Sequence, residues 1–313
     1  MSAKQIVVIG SLNADLVVRL PRFARPGETL AGESFAQFPG GKGGNQACAA
    51  ARLGGPARIA MLGRVGADAH GAWLRSHLAA AGVDVTGVRA APEAPTGVAL
   101  IAIDAAGENQ IVIVGGANAA FTPAALKEGD ESLHGADFVL LQLEIPLETV
   151  YEAAQAGRRA GATIILDPAP ARPLPDDLLA ACDWLTPNEP ELAALTGLAV
   201  EQPIDPAAAA DGARRLCARG ARNVIVKMGE RGALLVSGGE VRHVPAVRVT
   251  AVDTTAAGDC FNAAFAVALA EGRSPFEAAR FAAAAGAVSV TRPGAGPSMP
   301  TRDEVLALLG AAG

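Results

Sequence analysis

Short segments rich in Val, Ile and Leu alternate with alanine-rich segments along most of the chain. The first kind predicts strands, and several are continuously apolar, as parallel strands buried on both faces should be. The predicted strands lie in QIVVIG, ARIAMLG, DFVLLQLE, ATIILDP, DWLTPNE and NVIVKMG. The predicted helices lie in NQACAAARLGG, DAHGAWLRSHLAAAG, PLETVYEAAQAGRRAG and DPAAAADGARRLCARG, each ending in glycine. This alternation predicts an α/β fold with a doubly wound, mostly parallel sheet flanked by helices.

Two segments interrupt the alternation, because they have strand periodicity with no helix between their strands. They are residues 14–39 and 97–117, and the second contains a turn at Asp104 to Gly107 between apolar runs. We expect them to form a small antiparallel sheet, separate from an α/β domain of residues 1–13, 40–96 and 118–313. Such a sheet suits a lid over a cleft or a dimer contact, and one sheet can serve as both.

Composition narrows the class of protein. Half of the 313 residues are hydrophobic, but much of that fraction is alanine, and no apolar run reaches the roughly 18 residues of a membrane-spanning helix. The opening MSAKQIVVIG is too short an apolar run for a signal peptide, so we expect a cytoplasmic enzyme or binding protein. A net charge of −6 without a basic block argues against nucleic acid as the main partner. Four scattered cysteines and four histidines argue against a zinc or disulfide framework.

Polar residues follow the predicted strands, where ligands collect in an open parallel sheet. They are Asn13, Asp15, Glu144, Asp167, Asn188, Glu191, Lys227 and Gly229. Each also has a purely structural interpretation. Asn188 and Glu191 match a capping box, and GERG matches a hairpin turn. Glu144 could complement a helix start, Asp167 could belong to a turn, and Lys227 could be a solvated strand end.

The segment FPGGKGGNQACAAARLGG places four glycines around Lys42, directly before a helix of small residues that begins at Asn45. Glycine at this density lets the backbone approach a ligand, while Lys42 and Asn45 supply charge and directed hydrogen bonds. The spacing matches neither a Walker A loop nor a dinucleotide-binding fingerprint. A flexible linker is the alternative, but the helix follows at once.

The segment VDTTAAGDCFNAAF places Asp259 at the start of another apolar helix. One interpretation is a helix N-cap. The other starts from Ala256, Ala257 and Gly258, whose small side chains leave their amides open to an anion at the positive end of the helix dipole. A carboxylate beside such an anion hole is suited to remove a proton from a hydroxyl that attacks a phosphate.

Taken together, GSLNADLVVRLPRFARPGETL, GGKGGNQACAAARLG, GVALIAIDAAGENQIVIVGGANAA, LQLEIPLE, DPAPARPLP, TPNEPE and VDTTAAGDCFNAA resemble the ribokinase/fructokinase family of carbohydrate kinases, in order and spacing, from about residue 6 to residue 300. The resemblance implies a ribokinase-like fold with a β lid. It implies ATP-dependent phosphorylation of a sugar's primary hydroxyl, with D-ribose giving ribose 5-phosphate as the first hypothesis. Asp259 matches the family's general base, and the amides of Ala256, Ala257 and Gly258 match its anion hole.

The resemblance also implies where the ligands bind. The sugar-binding positions it matches are Asn13, Asp15, Gly41, Lys42, Gly43, Asn45, Glu144 and Asp259. The nucleotide-binding positions are Asn188, Lys227, Gly229, Gly232 and Gly258. Asn188 and Glu191 match the element associated with magnesium, with contact through water as an option. The positions that match an activating potassium site are Asp253, Thr255, Ser289, Arg292, Gly294 and Ser298.

The resemblance further implies a homodimer through the lid strands. One position departs from the family, since Ala283 stands where relatives often have His or Asn near the adenine, so a polar contact to the base is expected to be missing. Two alternatives stay open. One is a related kinase that acts on deoxyribose, another sugar or a nucleoside, and the other is a sugar-binding sensor without catalysis.

Overall fold

The computed structural model describes residues 3–55, 57–198 and 203–311. Within these ranges the strands are β1 Gln5–Ile9, β2 Asn13–Arg19, β3 Ser34–Gly40, β4 Arg58–Gly66, β5 Val88–Ala91, β6 Gly97–Ile103, β7 Asn109–Val114, β8 Phe138–Leu141, β9 Thr163–Leu166, β10 Trp184–Leu185, β11 Asn223–Lys227, β12 Ala233–Ser237 and β13 Glu240–Val244. The α-helices are α1 Lys42–Leu53, α2 Ala69–Ala80, α3 Pro123–Lys127, α4 Leu147–Arg159, α5 Asp176–Ala181, α6 Glu189–Thr196, α7 Pro206–Ala218, α8 Ala257–Ala270, α9 Pro275–Ser289 and α10 Arg302–Ala311.

In the described part of the chain, the main sheet has nine strands in the order β13-β12-β11-β10-β9-β8-β1-β4-β5. All neighbours are parallel except at one edge, where β11, β12 and β13 form antiparallel pairs. The expected doubly wound, mostly parallel sheet is therefore confirmed. Its parallel strands bring the residues that follow them to one edge of the sheet.

Both faces of this sheet are buried, which explains the continuously apolar strands. In β1, Ile6 and Val8 pack into the core beneath α1, α8 and α9, whereas Val7 and Ile9 pack into the core on the side of α4 to α7. Alternate strand residues thus enter opposite cores, as the period of two requires. Most alanines of α8 and α9 are buried, and their small side chains let these two helices lie close together beside the sheet.

Strands β3, β2, β6 and β7 form a second sheet, in that order. The β2–β3 and β6–β7 pairs are antiparallel, and the hairpin turn at Asp104 to Gly107 joins β6 to β7 as expected. The central β2–β6 pair is parallel, because both strands leave the main domain in the same direction. Among the described residues, no helix is long and apolar enough to cross a membrane.

Candidate active site

The first turn of α8 begins at a strained residue. Ala256 directly precedes the helix and has φ 59° and ψ 14°, a left-handed conformation that costs a non-glycine residue about 1–2 kcal/mol. Asp259 therefore lies within the first turn, and its interpretation as the N-cap is wrong. The Ala257 amide donates to the Thr254 carbonyl oxygen at 3.2 Å, whereas the amides of Ala256 and Gly258 have no acceptor among the described residues. Free amides at a helix N-terminus attract an anion.

The carboxylate of Asp259 is 3% exposed and is held by two amides of α1. Asn45 Nδ2 donates to Oδ2 at 2.9 Å, and Gln46 Nε2 donates to Oδ1 at 3.1 Å. Burial raises the pKa of Asp259 to about 6, although the Lys42 ammonium and the two amide hydrogen bonds oppose this shift. A carboxylate with this pKa is ionised at pH 7 and is more basic than an exposed aspartate, as a general base should be.

The glycine-rich segment forms the N-terminus of α1, and its glycines have packing reasons. Gly41 is the N-cap with φ 82°, and a Cβ there would lie 2.8 Å from the Asn13 amide nitrogen. A Cβ on Gly43 would lie 2.7 Å from the Gly10 carbonyl carbon. The helix start therefore touches the backbone between β1 and β2. This contact, rather than linker flexibility, explains the glycines.

Three carboxylates surround the start of α1. Glu144 Oε2 accepts hydrogen bonds from Ser11 Oγ at 2.5 Å and from the Lys42 amide at 3.0 Å, so it complements this helix start. Burial, followed by the nearby charges of Glu144 and Asp259, raises the pKa of Asp15 to about 7. Burial would lower the pKa of Lys42, but the surrounding carboxylates, Asp259 first, outweigh it and raise that pKa. The group holds one ammonium among several acids.

Asn13 lies beside this group and is 3% exposed. Its Oδ1 accepts a hydrogen bond from Asn118 Nδ2 at 2.7 Å. Asn118 in turn accepts from the Leu12 amide and donates to the Leu12 carbonyl oxygen. The Asn118 side chain thereby fixes the amide of Asn13, whose Nδ2 group is left as the donor on that side chain.

The residues expected to contact the nucleotide follow the next strands. Asn188 and Glu191 form the capping box of α6, with Asn188 Oδ1 accepting from the Glu191 amide and Glu191 Oε2 accepting from the Asn188 amide. Lys227 Nζ forms an ion pair with Asp167 at 2.8 Å and lies 3.3 Å from where a Cβ on Gly258 would be. Lys227 therefore reaches the N-terminal turn of α8.

The GERG segment is the hairpin between β11 and β12, as the structural interpretation predicted. Residues Gly229–Arg231 form one 3₁₀ turn, and Gly229 and Gly232 have φ values of 57° and 86°. Arg231 holds this turn against α6 through an ion pair with Glu189 at 2.5 Å. The hairpin is thus fixed beside the capping box.

The positions expected to bind potassium lie in two adjoining loops and at the last residue of α9. Asp253 accepts from the Thr255 amide and hydroxyl through Oδ1, and from the Gly294 amide at 2.8 Å through Oδ2, which joins the loops. Burial opposes ionisation of Asp253, but these hydrogen bonds outweigh it and lower its pKa. Ser289 and Ser298 are fully buried and donate to local carbonyl oxygens. The Arg292 guanidinium pairs with Glu304 at 2.9 Å.

A model of the pfkB family carbohydrate kinases matches residues 3–302. The chain belongs to this family. The chain is 43% identical to the ribokinase of Bacillus subtilis, over 98% of this chain and 99% of that protein. It is 39% identical to a deoxyribokinase of Salmonella typhi, over 96% of each. A solved structure of Arabidopsis thaliana ribokinase complexed with ribose and ATP is 39% identical, with a TM-score of 0.91 over 99% of each chain.

Four polar residues of this carbohydrate kinase's site were missed in the sequence: Ser11, Gln46, Asn118 and Gln142. Each is a single uncharged side chain within an apolar or glycine-rich run, which gives no periodic signal. The available signal was position for Ser11, which directly follows a predicted strand, whereas Gln142 lies inside the predicted strand DFVLLQLE and follows only the shorter β8 of the structure. Asp167 also follows a predicted strand, yet the sequence does not predict its ion pair with Lys227.

Proposed function

We propose that this protein phosphorylates the primary hydroxyl of D-ribose with ATP and produces ribose 5-phosphate. The observation that carries the proposal is the first turn of α8, where the buried Asp259 carboxylate lies beside the free amides of Ala256 and Gly258. A base and an anion-binding turn are thereby held within one helical turn. In-line phosphoryl transfer to an alcohol requires these two elements.

In the proposed reaction, Asp259 accepts the proton of the hydroxyl as its oxygen attacks the γ-phosphate. The amides of Ala256, Ala257 and Gly258 stabilise the charge on the transferred group. The Ala257 amide must then exchange the Thr254 carbonyl for the phosphate. The Lys227 ammonium adds a positive charge next to Gly258.

The sugar is proposed to lie against the groups around α1. They are Asn13, Asp15, Gly41, Lys42, Gly43, Asn45, Glu144 and Asp259. The carboxylates of Asp15 and Glu144 accept from hydroxyls, and the ammonium of Lys42 donates to them. A ligand that satisfies this set is preferred over an analogue lacking one hydroxyl, which would leave a buried group unpaired.

The nucleotide is proposed to lie across Asn188, Lys227, the Gly229–Gly232 hairpin and Gly258. Among the described residues, no group of three acidic, His or Cys side chains forms a metal cage. This fits magnesium, which uses one or two carboxylates together with waters and phosphates. Glu191 is the residue that would hold it, directly or through water, because Asn188 engages one of its two carboxylate oxygens. When bound, magnesium neutralises charge on the phosphates.

The potassium proposal rests on the two loops joined by Asp253 and Gly294. Their ionised carboxylate, buried hydroxyls and main-chain carbonyls are the hard oxygen donors that suit a monovalent cation. Arg292 would contribute only its main-chain carbonyl, since its guanidinium pairs with Glu304. When bound, potassium supplies a charge that orders the turn before α8.

Deoxyribose is a second candidate substrate. The Salmonella typhi deoxyribokinase is nearly as similar to this chain as the Bacillus subtilis ribokinase. The two sugars differ by one hydroxyl, so the hydrogen-bonding groups near that position decide between them.

A coupled assay of ADP release tests the proposal, with ribose, 2-deoxyribose, fructose and adenosine, with and without potassium. We expect turnover of ribose that potassium increases. Asp259→Asn keeps the shape but removes the base, so kcat should fall by about 10²–10⁴-fold. A fall in kcat of less than tenfold would refute the assignment of Asp259 as the general base. If the protein turns over deoxyribose or adenosine in preference to ribose, that compound is the substrate instead.

We also propose a homodimer through the small sheet. The outer strand β7 exposes Ile111, Val112, Ile113 and Val114, each by about half, and an apolar outer strand of this kind favours pairing. Sedimentation velocity should show a dimer that separates in I111K/I113K or in V112K/V114K, since alternate residues lie on opposite faces. Gln110→Lys, on the same strand, should leave the dimer intact. A monomeric parent, or dimers in both double variants, would contradict this interface.

A further inference from the structure

A chain of buried amides lies beneath the two halves of the site. Gln142 Nε2 donates to Gln46 Oε1 at 2.8 Å. Gln46 Nε2 in turn donates to Asp259 Oδ1 at 3.1 Å and to Asp167 Oδ2 at 3.4 Å. All four side chains are at most 3% exposed. One amide group thus contacts the carboxylate on the sugar side and the carboxylate that pairs with Lys227 on the nucleotide side.

The hydrogen-bond network fixes which way the Gln46 amide faces. Two carboxylates accept from one end of it, so that end must be the NH₂ group, which has one hydrogen for each of them. The other end is then the carbonyl oxygen, and it requires a donor. Gln142 supplies this donor, and with the Gln142 amide reversed two carbonyl oxygens would face each other. Gln142 therefore holds Gln46 in the orientation in which it binds both carboxylates.

The residues around Gln142 leave space for its side chain, but one of its polar atoms has no hydrogen bond. A Cβ on Gly10 would lie 2.0 Å from Gln142 Oε1, so the end of β1 accommodates Gln142 only because residue 10 is glycine. Gln142 Oε1 is buried and has no hydrogen-bond partner among the described residues. A buried, unpaired carbonyl oxygen lowers stability. The unpaired oxygen means that Gln142 adds little stability of its own, and what it contributes is the hydrogen bond that orients Gln46.

We propose that Gln46, oriented by Gln142, is a positioning residue that fixes the carboxylates of Asp259 and Asp167 at once. The inference rests on the proposed phosphoryl transfer, in which Asp259 must face the sugar hydroxyl while Lys227, held by Asp167, faces the phosphate. Gln46 fixes one oxygen of Asp259, and Asn45 fixes the other. Gln46 thereby sets the distance between the base and the nucleotide-side ion pair.

The electrostatic consequence has a definite sign. The groups that face Asp259 are the Lys42 ammonium, the carboxylates of Asp15 and Asp167, and the neighbouring Cys260 thiol. A hydrogen bond to a carboxylate favours its ionised form. Removing the Gln46 donor should therefore raise the pKa of Asp259. In a plot of kcat against pH, the acid limb should then move to higher pH.

Gln46→Met, Gln142→Met and the double variant test the proposal, because methionine keeps the size of glutamine and donates no hydrogen bond. We expect Q46M to lower kcat about 30-fold, a part of what a general base contributes, with the sugar KM within about threefold. Q142M should lower kcat by about fivefold. The double variant should match Q46M within twofold, since the two residues act in series. The acid limb should move up by about 0.5 pH units in Q46M.

Gln5→Met is the matched control. Gln5 Nε2 donates to the Ser132 carbonyl oxygen at 3.2 Å, at the opposite end of β1 from the site. Q5M should lose a similar amount of thermal stability and keep both kcat and its pH profile. Calorimetry on all variants separates loss of folding from loss of positioning. If Q46M does not fold, Q142M tests the proposal in its place. Its kcat should fall, and the acid limb of its kcat–pH profile should move to higher pH, as expected for Q46M.

A folded Q46M with kcat within twofold of the parent would overturn the proposal, as would losses that multiply in the double variant. The parent is first assayed with the three sugars and the one nucleoside above, and the variants are compared on whichever of these it phosphorylates. The expected variant pattern on a sugar other than ribose would support the positioning role while refuting ribose as the substrate. A parent that phosphorylates none of them would overturn both.

Discussion

The two halves of the site are built in opposite ways. The sugar-side group, proposed to bind the sugar, consists of Asp15, Lys42, Asn45, Glu144 and Asp259. The nucleotide-side group, proposed to bind ATP and magnesium, consists of Asn188, Glu191, Lys227, Gly229 and Gly232. The first gathers the buried Asp259 with the half-buried charges of Asp15, Lys42 and Glu144, and the pKa values of Asp15 and Asp259 rise to about 7 and about 6 because burial opposes their ionisation. The second uses ordinary elements, namely a capping box, an ion pair and a hairpin turn.

This difference indicates which of the two groups lowers the stability of the unliganded protein in order to bind a ligand. Buried carboxylates that face one another destabilise the folded protein until a ligand satisfies them, whereas a capping box stabilises it with or without a ligand. Glu191 shares features of both groups, since burial and Asp167 raise its pKa while the Lys227 charge and then the hydrogen bond from the Asn188 amide oppose the rise. Substitutions on the two sides should therefore change stability with opposite signs.

The largest effect is expected for Asp15→Asn on the sugar side. The folded pKa of Asp15 is raised, so its contribution to stability is complete below about pH 4 and is lost as the pH rises through about 7. We expect D15N to raise Tm by about 3 °C at pH 8, with a gain that vanishes toward pH 4. Its kcat/KM for the sugar should fall by about 10²-fold, because a hydroxyl loses a charged acceptor. Scanning calorimetry from pH 4 to 8 and steady-state kinetics measure both.

Asp137→Asn provides the control for D15N. The hydrogen bonds from Lys4 and the Gln5 amide outweigh burial and lower the pKa of Asp137, so its stabilisation is present at neutral pH and is lost on acidification. D137N should therefore lower Tm at pH 8. A D15N protein that is less stable than its parent at pH 8 would contradict the contrast between the two halves.

A smaller effect of the opposite sign is expected for Asn188→Ala on the nucleotide side. The variant loses the N-cap of α6, which costs about 1 kcal/mol, so Tm should fall by about 2 °C with little dependence on pH above 6. The KM for ATP should also rise severalfold, because the turn beside the proposed nucleotide site loosens. Calorimetry and ATP titration of the initial rate provide the two measurements.

Ser274→Ala is the matched control for N188A, since Ser274 and Glu277 form a second capping box at the start of α9. S274A should lose similar stability and keep the KM for ATP. If both variants raise that KM equally, the capping box of α6 has no special relation to the nucleotide.

Much of the fold followed from periodicity. The continuously apolar strands β1, β8 and β9 predicted a sheet covered on both faces, and alternate residues of β1 do enter opposite cores. The interrupted rhythm predicted the second sheet. The parallel pairing of β2 with β6 was not foreseen, because pairing between strands about 80 residues apart depends on tertiary packing rather than on local pattern.

For the site, the sequence predicted which residues follow strands and helix starts. It did not predict which side chains contact each other. The hydrogen bond from Gln46 to Asp259 joins two helices far apart in the chain. The left-handed conformation of Ala256 is equally invisible, since alanine favours a right-handed helix and only the surrounding fold can hold it otherwise.

The left-handed conformation of Ala256 determines at which stage its energetic cost arises. A glycine before α8 would reach the same dihedral angles freely and leave them as freely, whereas the methyl group of Ala256 restricts the turn to few alternatives. The cost of the left-handed turn is met once, during folding. The Gly258 amide is then already oriented when a substrate arrives, and only the Ala257 amide still has to leave the Thr254 carbonyl before the chemical step.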